Sequence, residues 1–196
     1  MSEVNLKKYV LITIGLLLIV VTILVSVKLI NNSSNQKEVF ESEWGSINPD
    51  EETLLIENLE KEICIDGKYP DYYGGYYSKN YNIIILLTEG SEDKEAEIRN
   101  ILGQEESVYV KYVPYSLNDL EKAQQEFGER YQELYKEGDK STIELLNEIT
   151  GSGVYVEENE VTVKIKNYSW WKVRKFKKLF GDNEVIHYTE GGNVAW

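Results

Sequence analysis

Histidine and cysteine are almost missing from this sequence: His187 and Cys64 are the only ones in 196 residues. A lone cysteine excludes an intramolecular disulfide and every cysteine-rich zinc site. A lone histidine excludes the usual imidazole metal centres, which need more than one. Any Ser-His-Asp or Cys-His arrangement would have to use His187, which stands between Ile186 and Tyr188 in a strand-like run. Alternation along a strand turns it away from those neighbours and toward solvent, so catalysis is not expected of it. Cys64 lies in Glu62-Ile63-Cys64-Ile65-Asp66, read as strand, where a free thiol is normally inert and partly buried. Phosphate-cradling loops are missing too. Neither Gly74-Gly75 nor Gly151-Ser152-Gly153 is followed by a Lys-Ser/Thr pair opening a helix.

Positive charge is scarce. The formal charge is -13. Of the charged residues before Asn31, only Glu3 is acidic, and Lys7, Lys8 and Lys28 are basic. The remainder therefore holds 33 acidic and 18 basic residues, a net of -15. Such a balance repels nucleic-acid phosphates and anionic lipid, and favours basic partners, cations or simple solubility. Glu92, Asp93, Glu126, Glu129 and Glu133 read as solvated helix faces, although counting alone does not exclude paired-carboxylate hydrolysis. The Glu157-Glu158-Asn159-Glu160 turn lacks the glycine and ligand spacing of an EF-hand and reads as a solvated hairpin tip. No metal or cofactor is expected.

One stretch has no charge at all. Tyr9 to Val27 reads YVLITIGLLLIVVTILVSV, 19 apolar or uncharged residues, which as a helix would span roughly 28 Å, about one hydrocarbon core. A cleavable signal peptide would be shorter and would end at a small-residue site. The expectation is a retained anchor: residues 1–8 cytoplasmic, 9–30 a transmembrane helix and 31–50 a polar tether. Lys7 and Lys8 on the short side place the N-terminus inside and the rest outside the cytoplasm.

The exterior part repeats its own pattern. With a shift of 78 positions, Gly75-Tyr76-Tyr77 falls on Gly153-Val154-Tyr155, and Ile83, Ile85 and Leu87 fall on Val161, Val163 and Ile165. Ile98, Ile101, Leu102 and Gly103 fall on Phe176, Leu179, Phe180 and Gly181, and Val108 and Val110 on Ile186 and Tyr188. Each copy reads as strand, turn, strand, helix, strand. Tyr72–Ser78 and Tyr81–Thr88 flank a turn at Lys79-Asn80, and a helix capped by Ser91 runs from Glu92 to Leu102. Ser107–Val113 closes the unit. The second unit has strands over Gly153–Val156, Glu160–Lys166 and Glu184–Thr189, with a Ser169-capped helix containing Trp170, Val173, Phe176, Leu179 and Phe180. Between them Ser116 caps a helix over Leu117–Lys136. The expected fold is α+β: two ββαβ units, with antiparallel sheets and helices on one face. Their bounds are 51–115 and 151–196, joined by a helical segment over 116–150.

Aromatics offer the best candidate surface. Tyr69, Tyr72, Tyr73, Tyr76, Tyr77 and Tyr81 crowd one strand and its flanks, and Trp170-Trp171 open the last helix. Such residues combine apolar area with a polar handle and are favoured where a surface binds protein or sugar. Either Tyr72, Gly74 and Tyr76 or Tyr73, Gly75 and Tyr77 should face away from the core. The candidate binding face is therefore Tyr72, Tyr73, Tyr76, Tyr77, Trp170 and Trp171.

The run Tyr73-Gly74-Gly75-Tyr76-Tyr77, then Ile83-Ile84-Ile85-Leu86-Leu87-Thr88, then a helix and a strand, resembles the pro-regions of alpha-lytic-protease and streptogrisin-type secreted serine proteases. Gly153-Val154-Tyr155-Val156-Glu157-Glu158-Asn159-Glu160-Val161-Thr162-Val163 is similar to the later G-V-x-V-D-x-x-x-N-x-V-x-V stretch of those regions. The resemblance covers roughly residues 60 to 190 and is to the pro-region alone, since no protease domain follows Trp196 in this sequence. It implies a module that binds a protein partner as chaperone or inhibitor; the tail from Gly191 to Trp196 reads first as a frayed terminus, and the resemblance offers insertion into that partner as the second reading. The expected function is thus a membrane-anchored, extracytoplasmic, non-enzymatic protein-interaction module with an envelope or secreted protein as partner. The alternative is a cell-wall or glycan-binding module using surface tyrosines.

Overall fold

The computed structural model describes residues 45–103 and 106–192. The anchor expected over 9–30, the residues before it, most of the tether and the tail from residue 193 lie outside the described residues. Among those described, no helix is long and apolar enough to cross a membrane.

The packed fold begins inside the segment read as tether. Gly45 N–H donates to the Asn80 carbonyl at 2.8 Å, and Ile47 is buried in the core. A helix not anticipated from the sequence follows, α1 over Pro49–Ile63. Its start is well specified: Asn48 accepts from the Asp50 and Glu51 N–H groups at 3.1 and 3.0 Å, Pro49 opens the first turn, and Asp50, Glu51 and Glu52 complement the helix dipole. Ile56, Leu59 and Ile63 make its buried stripe. The strand reading of Ile63-Cys64-Ile65 is corrected accordingly. Cys64 is the C-cap, and Ile65 forms only an isolated bridge with Lys68.

Unit 1 consists of β1 (Tyr73–Lys79), β2 (Asn82–Thr88), a 3-10 turn at Glu92–Lys94, α2 (Glu95–Ile101) and β3 (Val108–Val113). Asn80 and Tyr81 both adopt positive φ, 53° and 61°, as a two-residue hairpin turn requires. Ser91 does not cap the helix as expected; its hydroxyl donates to the Thr88 carbonyl instead. Two helices follow: α3 (Leu117–Glu137), started by a reciprocal Ser116–Asp119 capping box, and α4 (Lys140–Leu146), capped by Asp139. Unit 2 is then β4 (Ile149–Tyr155), β5 (Glu160–Ile165), α5 (Trp170–Phe180) and β6 (Ile186–Glu190).

The sheets run β1-β2-β3 and β4-β5-β6, and neither is wholly antiparallel as expected. In each the first pair is antiparallel, but β3 lies parallel to β2 and β6 parallel to β5. The reason is topological. A helix long enough to traverse the sheet returns the chain to the end where the second strand began, so the third strand must run the same way.

The repeat is real in three dimensions, with one correction. Ile83 pairs with Val108 as Val161 pairs with Ile186, preserving the shift of 78, and Ile98 and Phe176 are both fully buried. In the first strands the shift is 76: Tyr73 pairs with Leu87 and Ile149 with Ile165, each followed by a bulge before a glycine. Two residues lie between the paired Lys79 and Asn82, and four between Tyr155 and Glu160. The longer second turn absorbs the difference, so Gly75 corresponds to Gly151 rather than to Gly153.

Those extra residues join the units. Asn159, at φ 53° and nearly buried, accepts from the Tyr115 N–H at 3.0 Å and donates to the Tyr115 carbonyl at 2.8 Å. Lys79 pairs with the Glu157 carboxylate at 3.0 Å, and Lys111 donates to the Glu157 carbonyl at 3.2 Å. A Cβ on Gly75 would come within 2.9 Å of Val156. The hairpin tip read as solvated is thus docked on unit 1.

Two cores result. One gathers Ile56, Leu59, Ile63, Tyr73, Ile83, Ile85, Leu87, Ile98 and Leu102 between α1, α2 and the sheet. The other sets Ala123 and Phe127 of α3 and Phe176 of α5 against Val161, Val163 and Ile165. Phe127 stacks on Phe180 with ring centroids 4.4 Å apart.

Candidate functional site

The six aromatic candidates do not form one face. A bulge between Tyr73 and Gly75, with Gly75 at φ 101°, breaks the expected alternation. As a result Tyr73 and Tyr76, three apart, both meet the same core. Tyr73 is 1% exposed, and Tyr72 and Tyr76 are half-buried against the cluster. Burial raises the phenol pKa values of all three, with Glu60 acting in the same direction on Tyr73 and Tyr76. Tyr77 is also half-buried, with the Lys111 ammonium 5.7 Å from its ring centroid. This tyrosine row therefore belongs mainly to the packing of unit 1. The Tyr73 hydroxyl is buried with no hydrogen-bond partner among the described residues. Tyr73→Phe is accordingly expected to leave stability unchanged or to raise it by up to about 1 kcal/mol in urea unfolding, because a buried hydroxyl without a bond is a net cost. A clear loss of stability would show that the hydroxyl is bonded.

Trp170 and Trp171 stand elsewhere, at the start of α5, where Ser169 caps the helix through the Lys172 N–H. They are 53% and 60% exposed and stack with centroids 3.6 Å apart. The Arg174 guanidinium lies 5.6 and 5.7 Å from the two rings, within cation–π range.

Among the described residues, the sheet face that no helix covers lies in unit 2. Val161, Val163 and Ile165 point into the core under α3 and α5, so Glu160, Thr162 and Lys164 point out. Register places Gly153 and His187 beside Thr162, and Gly151 and Thr189 beside Lys164. Tyr155, Lys164, His187 and Thr189 are exposed, while Thr162 is buried beneath its neighbours. The Lys164 ammonium sits 5.0 Å over the Tyr155 ring. The glycines leave room on β4, since nothing lies within 4 Å of where a Cβ on Gly151 would be.

His187 faces solvent as alternation predicted, and its Nδ1 lies 3.3 Å from the Glu160 carboxylate. That carboxylate also accepts from the Thr162 hydroxyl at 2.9 Å. The acid thus stands between the hydroxyl and the imidazole. A nucleophile needs the imidazole in the middle position, as the base that takes its proton. The arrangement suits recognition through donors and acceptors, not acyl transfer.

Sequence reasoning missed a second charged surface. From Lys164 to Phe180 there are seven basic residues and no acidic one. The chain-wide excess of acid conceals this run; a windowed charge profile reveals it.

A family model described as a Pro-like C-terminal domain matches residues 118–191, the stretch from the first turn of α3 to just beyond β6. No curated protein matches the chain. The family match fits a pro-region-like domain over unit 2 and its leading helix, and a domain of that kind suggests a non-catalytic module.

Proposed function

We propose that the chain is a membrane-anchored, extracytoplasmic, non-enzymatic interaction module of the pro-region kind. In this reading it engages an envelope or secreted protein, as chaperone or inhibitor, through the outer face of the β4-β5-β6 sheet. One observation carries the reading: the stretch matching the Pro-like C-terminal domain is the unit whose sheet leaves one face uncovered by helices. That face offers an aromatic ring, cations, hydroxyls and two glycines that leave the backbone of β4 open to approach, which suits a protein surface. The glycan alternative has less support, because Tyr72, Tyr73 and Tyr76 pack against the core of unit 1.

The test is site-specific photocrosslinking in intact cells, from Thr189 on the face and from Glu126 on α3 as control. A protein adduct formed from Thr189 alone is expected. Tyr155→Ala with Lys164→Glu should weaken that adduct roughly tenfold if the two are central contacts. Equal adducts from both positions, or only glycan adducts, would sink the proposal. External protease should remove the domain from intact cells; protection of the domain would reverse the assumed topology.

A further inference from the structure

α5 carries the opposite charge to the chain that contains it. Its inward side is apolar: Phe176 is buried, and Val173 and Phe180 pack on the same core. Its outward side has the helical spacing Trp171, Arg174, Lys175 and Lys178, with Trp170 one turn before Arg174. All five are exposed. Lys172 and Lys177 are tied to Glu148 at 3.0 Å and to Asp182 at 2.6 Å. Among the described residues, no carboxylate is within ion-pair distance of Arg174, Lys175 or Lys178. Tyr168, just before the helix, is also exposed.

We propose that this stripe docks on an anionic phospholipid surface, with the paired indoles at headgroup level and Arg174, Lys175 and Lys178 against lipid phosphates. Lysine and arginine held close to an anionic lipid surface are each attracted to it by about 1 kcal/mol. A soluble polyanion would be held by the cations alone, leaving two neighbouring half-exposed indoles without a role. Indole rings, by contrast, are favoured at the boundary between headgroup and hydrocarbon. The acidic remainder gives the docking a polarity. At physiological salt the surface potential is felt over about 8 Å, so the stripe is attracted while exposed Glu126, Glu129 and Glu133 of α3 are repelled from any closer approach.

The inference goes beyond the protein-partner reading and uses a different face. α5 packs on the inner side of its sheet, so its outward stripe and the sheet's outer face point in opposite directions. A domain lying on lipid through α5 therefore presents Tyr155, Lys164 and His187 away from the bilayer.

The experiment uses the full chain with Trp44→Phe and Trp196→Phe, which leaves Trp170 and Trp171 as its indoles. It is reconstituted in vesicles of brominated phosphatidylcholine, with or without brominated phosphatidylglycerol. Strong indole quenching is expected only with phosphatidylglycerol, and raising salt should relieve it. Arg174→Gln, Lys175→Gln and Lys178→Gln should each lower the docked-to-undocked ratio about fivefold, with circular dichroism unchanged. Equal quenching in both lipids, or none in either, overturns the proposal. A larger fluorescence response to soluble polyglycerol phosphate than to vesicles overturns it in favour of a polyanion site. Carbonate extraction reads the anchor separately: release of the chain would defeat the anchor, while the quenching would still decide the stripe.

Discussion

Asn159→Ala is expected to destabilise the domain by about 3 kcal/mol, from two sources. Loss of the side chain strips the Tyr115 N–H and carbonyl of their partners, worth about 2 kcal/mol for groups that water only partly reaches. Alanine at φ 53° adds about 1 kcal/mol of left-handed strain, which asparagine tolerates better. Asn159→Gly should remove the hydrogen bonds without the strain, and so lose about 1 kcal/mol less than alanine. Urea unfolding of the two variants separates these contributions. If neither shifts the midpoint, the joint between the units contributes nothing. If the alanine variant unfolds in two steps, Asn159 is what makes the units unfold together.

Alkali should unfold the protein well before the chain itself is damaged. Burial is the leading cause of raised phenol pKa values at Tyr69, Tyr73, Tyr112 and Tyr188, reaching about 12 at Tyr69 and Tyr188. The ordinary tyrosine value is 10.0. Above it the unfolded chain loses phenolic protons that the folded chain keeps. The unfolded state then binds fewer protons, and stability falls as pH rises. This stability is fully present below about pH 10 and drains away through about pH 12. Tyr73, the most deeply buried, contributes a slope of about 1.4 kcal/mol per pH unit, and Tyr188 adds in the same direction. Urea midpoints should therefore drop steeply across this window, with phenolate absorbance rising cooperatively at unfolding. Tyr73→Phe should flatten the slope. A midpoint that stays level across the window would rule this linkage out.

Much of the architecture was legible because its signals are local. Ser116 and Ser169 cap helices where their positions suggested, and Gly103 and Gly181 end the paired helices at φ 79° and 90°. Ile83, Ile85, Leu87, Val161, Val163 and Ile165 face the cores as alternation predicted. The missed helix α1 had its signals too, in Asn48, Pro49 and the acidic first turn. Acidic residues stand on both sides of its apolar positions, however, and the segment just before it reads as part of the tether. The six aromatics fail to share one face for a different reason. A bulge at Tyr73–Gly75 moves later side chains to the other face, and whether a strand bulges depends on the partner it pairs with. The basic stripe on α5 escaped because charge was summed over the chain and not along a helix.

The longer second hairpin also governs the order in which the protein can be completed. Ile83 to Leu87 are five consecutive aliphatic residues, every one fully buried, in the central strand of unit 1. Synthesis from the N-terminus delivers them long before Val156, Glu157 and Asn159, the residues that later close over β1 and the end of β3. During that interval the strands flanking that aggregation-prone segment are without their final contacts. Chains halted inside unit 2 would then clump while finished ones stay dispersed, and the burden on cellular folding helpers would fall in the delay between the two hairpins.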